Sequence, residues 1–384
     1  MDNKRSVVVH LITPYLFHTG SWVYSQLTEI RRYENVVFTQ RKENIELFPL
    51  KNVYSPDDFG RPREFVNRIY RRLTDSYGLY FNKLFKTINP SLFHAHMGFE
   101  AVRWLEFVKR SRRPLITTFY GLDVSKLGRM EEWQRRYKTL FSYGSLFLAE
   151  GTHLKKQLVD LGCPSSKIIV QHLGVAVDRY PVKSIVKRNA NDTVIILQVS
   201  SFREKKGIEY SIRAIAEVVK QNPRIEFRII GNGDSPDADT MISRLVQQLN
   251  LTNKVKLLGT RSHSDTIQEM LHADIFLHPS VTAADGDNEG GAPVGIIEAS
   301  AVGLPVVSTI HADIPEVVLD NLSGFLVPER DIESLAKALL DLVASPRKRA
   351  SFGGHGRKHI DENYNLTTQI EKLEHIYDMV SNDW

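Results

Sequence analysis

Residues 274–309 constrain this chain more than any other stretch. An apolar run, Asp274-Ile275-Phe276-Leu277-His278, leads into a glycine-rich loop from Val281 to Gly291. Ala292-Pro293, a short apolar segment carrying Glu298, and Gly303-Leu304-Pro305-Val306-Val307-Ser308 follow. Two brief β-type runs around a helical segment too short and apolar to face water predict a parallel βαβ unit with a right-handed crossover. Pro293 suits a first helical position and Gly303 a position just past the helix end, which turns the helix N-terminus and its free N–H groups toward the loop. The loop is therefore a candidate anion site. Glu289 in the loop and Glu298 on the helix add carboxylates suited to the vicinal hydroxyls of a sugar or ribose. A nucleotide sugar needs both kinds of partner.

A chain of 384 residues exceeds the size at which one core keeps growing, so two domains are expected. With 42% hydrophobic and 25% charged residues the composition is that of a soluble protein, and no apolar run approaches the ~18–20 residues of a membrane span. Met1-Asp-Asn-Lys-Arg-Ser6 runs straight into Val7-Val8-Val9 with no apolar secretion signal, so the expected location is the cytoplasm. Cys163 is the only cysteine, which excludes an intrachain disulfide and a cysteine-based zinc site. Charge is unevenly spread: residues 1–180 hold 28 Lys and Arg against 17 Asp and Glu, the remainder 22 against 28. An N-terminal half so basic fits solvated surface or an anionic partner such as a phospholipid headgroup layer or a lipid diphosphate. No nucleic-acid motif accompanies it, and no nucleic-acid partner is expected.

The N-terminal half reads as a succession of short strands and helices. Residues 7–13 predict a buried strand, and Gly20-Ser21 precede a helix over 22–31; a glycine there permits close approach to a phosphate. After a strand at 35–40, residues 61–86 read as a long helical region with Arg61, Arg63, Arg68, Arg71 and Arg72 among aromatic and aliphatic residues. Such a helix is either a solvated face or one that lies on a membrane surface, which would make the protein peripheral there. Strands at 91–96 and 114–119 end in His94-Ala95-His96 and Tyr120-Gly121-Leu122-Asp123, and carboxyl ends of parallel strands gather ligands. His94 and His96 are expected on opposite sides of their strand, one packed in the sheet and His96 at the cleft, which argues against a metal. His96, Asp123 and Glu150 are the acceptor-side candidates; Glu150 reads equally as a charge partner for the helix N-terminus that follows it.

Residues 178–192 read as a linker. Beyond it, a strand at 193–199 leads through Arg203-Glu204-Lys205-Lys206-Gly207 to a helix with Ile208, Ile212, Ile215 and Val219 at helical spacing. Cations between a strand end and a helix N-terminus suit a bound diphosphate, with a solvated charge run as the plain alternative. A strand at 225–230 ends in Gly231-Asn232-Gly233, another glycine-rich loop on the candidate phosphate side. Asp285-Gly286-Asp287 has the form of a metal-binding Asp-x-Asp, but nearby cations can neutralise a diphosphate without metal, and no metal is expected.

Glu298-Ala299-Ser300-Ala301-Val302-Gly303-Leu304-Pro305-Val306-Val307 resembles the signature of the family 4 glycosyltransferases. These are retaining enzymes of the GT-B fold, an α/β architecture of two Rossmann-like domains facing each other across a cleft. The resemblance implies an N-terminal acceptor-side domain (1–180), a nucleotide-sugar-binding domain (181–365) and a terminal helix (366–384) returning to the first. It also implies transfer of a sugar from a nucleotide-sugar donor to a glycan or lipid-linked saccharide in polysaccharide biosynthesis, with no cofactor. Its donor-side positions fall on Gly20, Ser21, Lys206, Gly231, Gly233, Pro293 and Glu298, and its catalytic positions on Glu289, Lys206, Arg203 and Tyr120. Three departures stand out. Eight residues, not seven, separate Glu289 from Glu298, the extra one in a Gly-Gly loop; Tyr120 replaces a histidine; and Ser201 occupies the place of an arginine that Arg203 is expected to replace. A phenol with a pKa near 10 is a poor proton acceptor, though it can bond a sugar hydroxyl or a phosphate. A nucleotide-sugar epimerase and a non-catalytic donor-binding protein are the alternative readings. A nicotinamide oxidoreductase lacks the expected Gly-x-Gly-x-x-Gly after the first strand.

Overall fold

Short runs of β-branched and aromatic residues, buried on both faces, build the sheets. The computed structural model describes residues 5–17, 20–183 and 192–382. In chain order the strands are β1 (Ser6–Leu11), β2 (Tyr33–Phe38), β3 (Val53–Tyr54), β4 (Leu92–His96), β5 (Leu115–Phe119), β6 (Leu146–Ala149) and β7 (Ile168–Val170). They form one parallel sheet in the order β3-β2-β1-β4-β5-β6-β7. A second parallel sheet, β10-β9-β8-β11-β12-β13, contains β8 (Val194–Val199), β9 (Ile225–Ile230), β10 (Val255–Gly259), β11 (Ile275–His278), β12 (Val306–Thr309) and β13 (Gly324–Val327). Strands such as β4, β5, β11 and β12 are buried at every position, because helices cover both faces of a parallel sheet and leave no polar side for alternation. Both orders reverse beside the first strand, at β1/β4 and at β8/β11. In such doubly wound sheets ligands bind at that reversal, outside the carboxyl ends of the strands.

Two Rossmann-like units result, divided at 174/175 and again at 365/366. The first division lies earlier than the 180/181 expected, because Val175, Val177 and Tyr180 are packed into the second unit's core and Val175 N–H donates to Tyr364 O (2.9 Å). Part of the expected linker is thus structured, and residues 184–191 of it lie outside the described residues. The terminal helix Leu366–Asn382 packs with the first unit: Glu374 Oε1 accepts the backbone N–H groups of Arg31 and Arg32 (both 2.7 Å), and Asp378 Oδ1 accepts the Tyr33 hydroxyl (2.7 Å).

Two local expectations are corrected. The helical region 61–86 is two helices, Arg61–Thr74 and Asn82–Ile88, because the chain turns left-handed at Asp75 (φ 47°). Pro293 is the N-cap of the helix Val294–Ala301 and not its first residue, since its ψ of 129° is still extended; Gly303, with φ 88°, does follow the helix end.

Candidate active site

The loops after β8 and β11 flank the reversal point of the second sheet, and three consecutive residues of the first loop hold the second. The Glu204 carboxylate accepts the Ala284 N–H, and Lys205 Nζ donates to Asp287 Oδ1 (3.1 Å) and to the Asn288 carbonyl (2.9 Å). Lys206 Nζ donates to Glu289 Oε2 at 2.7 Å. Gly207 lets the chain leave this segment: its φ is +65°, and a Cβ there would lie 1.8 Å from the Pro279 carbonyl oxygen. Lys205 and Asp287 were not foreseen as partners, although Asp287 in an Asp-x-Asp beside a lysine-rich loop was the available signal.

Glu289 is the electrostatic centre of this unit's site. Its side chain is 5% exposed; Ser280 Oγ donates to Oε1 (2.8 Å), and the extra loop residue is taken up in a turn at Gly290 (φ 73°), where Gly291 N–H donates to the Glu289 carbonyl. Burial alone would raise this carboxyl, but Lys206, the His278 imidazole and Lys205 outweigh it and hold it well below the usual carboxylate range. His278, at the end of β11, is itself pushed down by burial. Neither His278 nor His311, which accepts the Glu289 N–H on Nε2, was singled out from the sequence, because a histidine within an apolar run reads as core.

Glu298 lies on the short apolar helix whose N-terminus adjoins that loop. Two groups reach it: the Tyr180 hydroxyl donates to Oε1 (2.9 Å), and His263 Nε2 sits 2.8 Å from the same oxygen. Both bonds end on Oε1, which leaves Oε2 outside the pair. The bond to Glu298 raises the His263 pKa against the opposing effect of burial. A raised folded pKa means that this contribution to stability is fully present below the ordinary imidazole value of about 6.5 and is lost as pH rises through the raised value. A proton NMR titration of His263 is expected to give a midpoint above that ordinary value in the wild type and one returned toward it in Glu298→Gln. A midpoint that ignores the substitution would remove Glu298 as its partner.

Other second-unit candidates take different places. Arg203 Nε is turned to Asp234 Oδ2 (2.7 Å) with both side chains more than half exposed, and the charges of Asp287 and Glu289 add to the Asp234 bond in raising its pKa. Gly231 and Gly233 are not phosphate donors, because their N–H groups bond the Gly259 carbonyl (3.0 Å) and Asp239 Oδ1 (2.7 Å). Space is what requires glycine there: a Cβ on Gly231 would lie 2.0 Å from the Ser200 carbonyl oxygen, and one on Gly233 2.5 Å from Ala238 Cβ.

In the first unit, Tyr120, His96 and Glu150 gather at the carboxyl ends of β4, β5 and β6. The Trp22 ring lies against Tyr120 (centroids 4.3 Å apart), which brings the helix Ser21–Glu29, capped by Gly20, to the same end. His94 and His96 share one face, contrary to the expectation, because side chains in a strand repeat every two residues; their rings stack at 4.4 Å. His96 is 2% exposed and is not at an open surface. With His10 these imidazoles bring one nitrogen from each ring within 4.8 Å of the others, a grouping able to hold a metal, yet each ring nitrogen already has a hydrogen-bond partner at 2.7–3.1 Å. Asp123 is buried and accepts the N–H groups of Gly98 (2.8 Å), Gly121 (2.9 Å) and Tyr120 (3.2 Å), so it braces the loop under Tyr120 and does not face an acceptor. Burial, with the Glu150 charge adding to it, raises the Tyr120 phenol well above its ordinary pKa.

Comparison with known proteins agrees with this architecture. The family described as Glycosyl transferases group 1 matches residues 182–359, and Glycosyltransferase Family 4 matches residues 25–179. The chain belongs to the family 4 glycosyltransferases. Relatives in that family include the amylovoran biosynthesis glycosyltransferase AmsK of Erwinia amylovora, 35% identical over 67% of this chain and 62% of AmsK. WcaL of Escherichia coli K12, named for colanic acid biosynthesis, is 37% identical over 59% of this chain and 55% of its own length. The matched stretch thus spans less than two thirds of either relative. Among solved structures, HepE of Anabaena in complex with UDP and glucose superposes with a TM-score of 0.79 at 19% identity, covering 98% of this chain and all of that one. That likeness is one of fold, and it is the GT-B fold of this glycosyltransferase family.

Proposed function

We propose that this family 4 glycosyltransferase transfers a sugar from a nucleotide-sugar donor, with retention, to a glycan or lipid-linked saccharide in polysaccharide biosynthesis. One observation carries the reading: Lys206 and Glu289, paired at 2.7 Å, and Glu298, with Oε2 clear of its own partners, surround the start of one helix at the reversal point of one parallel sheet. Cleavage of a sugar–phosphate bond leaves positive charge on the sugar and negative charge on the diphosphate. Lys206 and the N–H groups of the first turn after Pro293 oppose the negative charge. Glu298 takes the ribose hydroxyls and Glu289 those of the sugar. No carboxylate stands out as a covalent nucleophile, so the departing phosphate receives the acceptor proton on the same face, without a metal. The family membership and the polysaccharide-assembly relatives support this reading over the epimerase alternative.

A panel of nucleotide sugars screened by thermal shift tests it, since a ligand that binds only the folded chain raises its melting temperature. At least one member should do so, and transfer to saccharide acceptors should proceed with no trapped glycosyl-enzyme. A shift without transfer or hydrolysis across the panel would favour the non-catalytic reading.

The same proposal extends to location. The helix Arg61–Thr74 exposes Phe65 (59%), Val66 (46%), Ile69 (45%) and Leu73 (79%) with Arg61, Arg63, Arg68 and Arg72 around them, a surface matched to anionic lipid. None of the helices among the described residues is long and apolar enough to cross a membrane, so association would be peripheral. Flotation with anionic vesicles should recover the wild type, and a Phe65→Glu/Leu73→Glu chain should stay in the lower fractions. Equal recovery on uncharged vesicles would refute the electrostatic part.

A further inference from the structure

Within the second unit, the loop that carries Glu289 is held near both of its ends by one carboxylate that stands outside it. Glu329 follows β13, and the chain turns left-handed directly after it, at Arg330 (φ 64°). A non-glycine residue rarely takes that conformation, and here it accompanies two side chains that converge on one residue at the start of the loop. Glu329 Oε2 accepts the Thr282 N–H (2.9 Å), and the Arg330 guanidinium donates to the Thr282 carbonyl. The other carboxylate oxygen reaches the far end of the loop through a ring. His311 Nδ1 lies 2.6 Å from Glu329 Oε1, and His311 Nε2 lies 3.2 Å from the Glu289 backbone nitrogen. Burial opposes ionisation of Glu329, but the bonds from His311 and the Thr282 N–H outweigh it and hold the carboxyl below its ordinary range. Both contacts of the ring then dictate one tautomer. A carboxylate only accepts, so the hydrogen is on Nδ1; a backbone N–H only donates, so Nε2 is bare. The His311 side chain is 2% exposed, so little water competes for either nitrogen.

We propose that Glu329, acting through His311, is a positioning residue that fixes the Glu289 backbone and with it the carboxylate that takes the sugar hydroxyls of the donor. The inference rests on the nucleotide-sugar reading above and deepens it. Lys206 and Ser280 orient the Glu289 carboxylate, but they do not hold its main chain. That main chain needs an anchor. The turn at Gly290 (φ 73°) that absorbs the extra loop residue comes directly after Glu289, and glycines give the chain freedom where a sugar-binding group must not have it. The hydrogen bonds of Glu329 run to Thr282, His311 and Arg330, so its effect on the sugar passes through the loop. Displacing Glu289 weakens the grip on the sugar and spares the diphosphate, which Lys206 and the helix start oppose.

Long-range ¹H–¹⁵N spectra of the histidine-labelled full chain, recorded without ligand at about pH 8, test the connection. His311 is expected as the neutral Nδ1–H tautomer. Glu329→Ala should turn it into a mixture of tautomers and speed hydrogen exchange at the Glu289 amide about tenfold. An Nε2–H form or an imidazolium in the wild type, or a Glu289 amide that exchanges equally in both chains, would overturn the proposal. Isothermal titration reads the consequence. Glu329→Ala should weaken binding of the nucleotide sugar that the donor screen returns about three- to tenfold, and of its nucleoside diphosphate by less than about twofold. His311→Phe should do the same, and the double variant should bind no more weakly than the weaker single one, because the two residues stand in series. Equal losses for both ligands, or losses that add in the double variant, would equally overturn it. The spectra require neither ligand nor turnover, so their failure is separable from failure of the transferase reading, which the donor screen tests.

Discussion

Lys206→Ala is expected to abolish the melting-temperature rise that a matching nucleotide sugar gives the wild type and to weaken the chain in the absence of any sugar. The Lys206 side chain is 18% exposed and that of Glu289 5%, with 2.7 Å between them. Removing one member of so buried a pair leaves the other charge uncompensated, at a cost of about 3–5 kcal/mol. Protonation of Glu289 limits that cost, and the sign follows from its direction of shift. In the wild type its pKa is depressed, so the pair's contribution is present above the unfolded carboxyl value of about 4.3 and fades as pH falls toward the folded one. Without Lys206 the largest of the charges that oppose burial is gone, so the carboxyl pKa rises from its depressed position, and the loss relative to wild type is greatest at neutral pH and shrinks as pH falls toward the depressed wild-type value. Urea unfolding at about pH 7 and about pH 4 should therefore show a gap between variant and wild type that is smaller at the lower pH but still open. A Lys206→Ala/Glu289→Gln chain should recover most of the stability and none of the binding, which separates the structural from the ligand-holding role. A single variant that keeps the full ligand-induced shift would sink the assignment of Lys206.

Glu298→Ala should come next in effect. It removes the nearer partner of the Tyr180 hydroxyl, a residue only 9% exposed, and leaves it a long bond to His263 Nε2 (3.4 Å); a buried donor so poorly satisfied costs about 1–3 kcal/mol at most. It also removes the carboxylate proposed for the ribose. Hydrogen bonds to a charged group are worth about 1.5–3 kcal/mol, so donor affinity should fall about 10- to 100-fold. Glu298→Gln keeps an oxygen for Tyr180 and should restore stability while binding stays weakened. Isothermal titration with a nucleoside diphosphate alone and with the complete nucleotide sugar separates ribose from sugar contacts: both titrations should weaken together. If only the complete nucleotide sugar is affected, Glu298 belongs to the sugar and not to the ribose.

Much of the fold was legible because burial on two faces leaves short runs rich in apolar and β-branched residues without charged ones. Leu92–His96, Leu115–Phe119 and Ile275–His278 could be read as strands without a partner in view, and Gly303 with its positive φ marked a helix end. Edge strands such as Val53–Tyr54 carry too few residues to show a period, and the break at Asp75 is a backbone turn at a residue that also occurs inside helices. Side-chain destinations were harder to read. Gly231 and Gly233 looked like a phosphate loop because the pattern records glycine and not the reason for it, which here is the nearness of the Ser200 carbonyl and Ala238. Arg203 and Lys206 differ little in sequence context, yet one faces Asp234 at an exposed rim and the other a buried carboxylate.

By itself the sequence determined the local chemistry: which segments pair as parallel strands, where helices begin beside glycine-rich loops, and which residue types stand at those starts. Only the tertiary structure decided partners. Glu289 with Lys206, Tyr180 with Glu298, and Asn35 with His10 and through it His96 are joined across 83, 118, 25 and 86 positions of chain respectively. Spacing along a chain fixes which face a side chain takes, whereas the strand order of a sheet fixes what stands opposite it. That order is set by the packing of all the strands and helices together, so no single segment carries it.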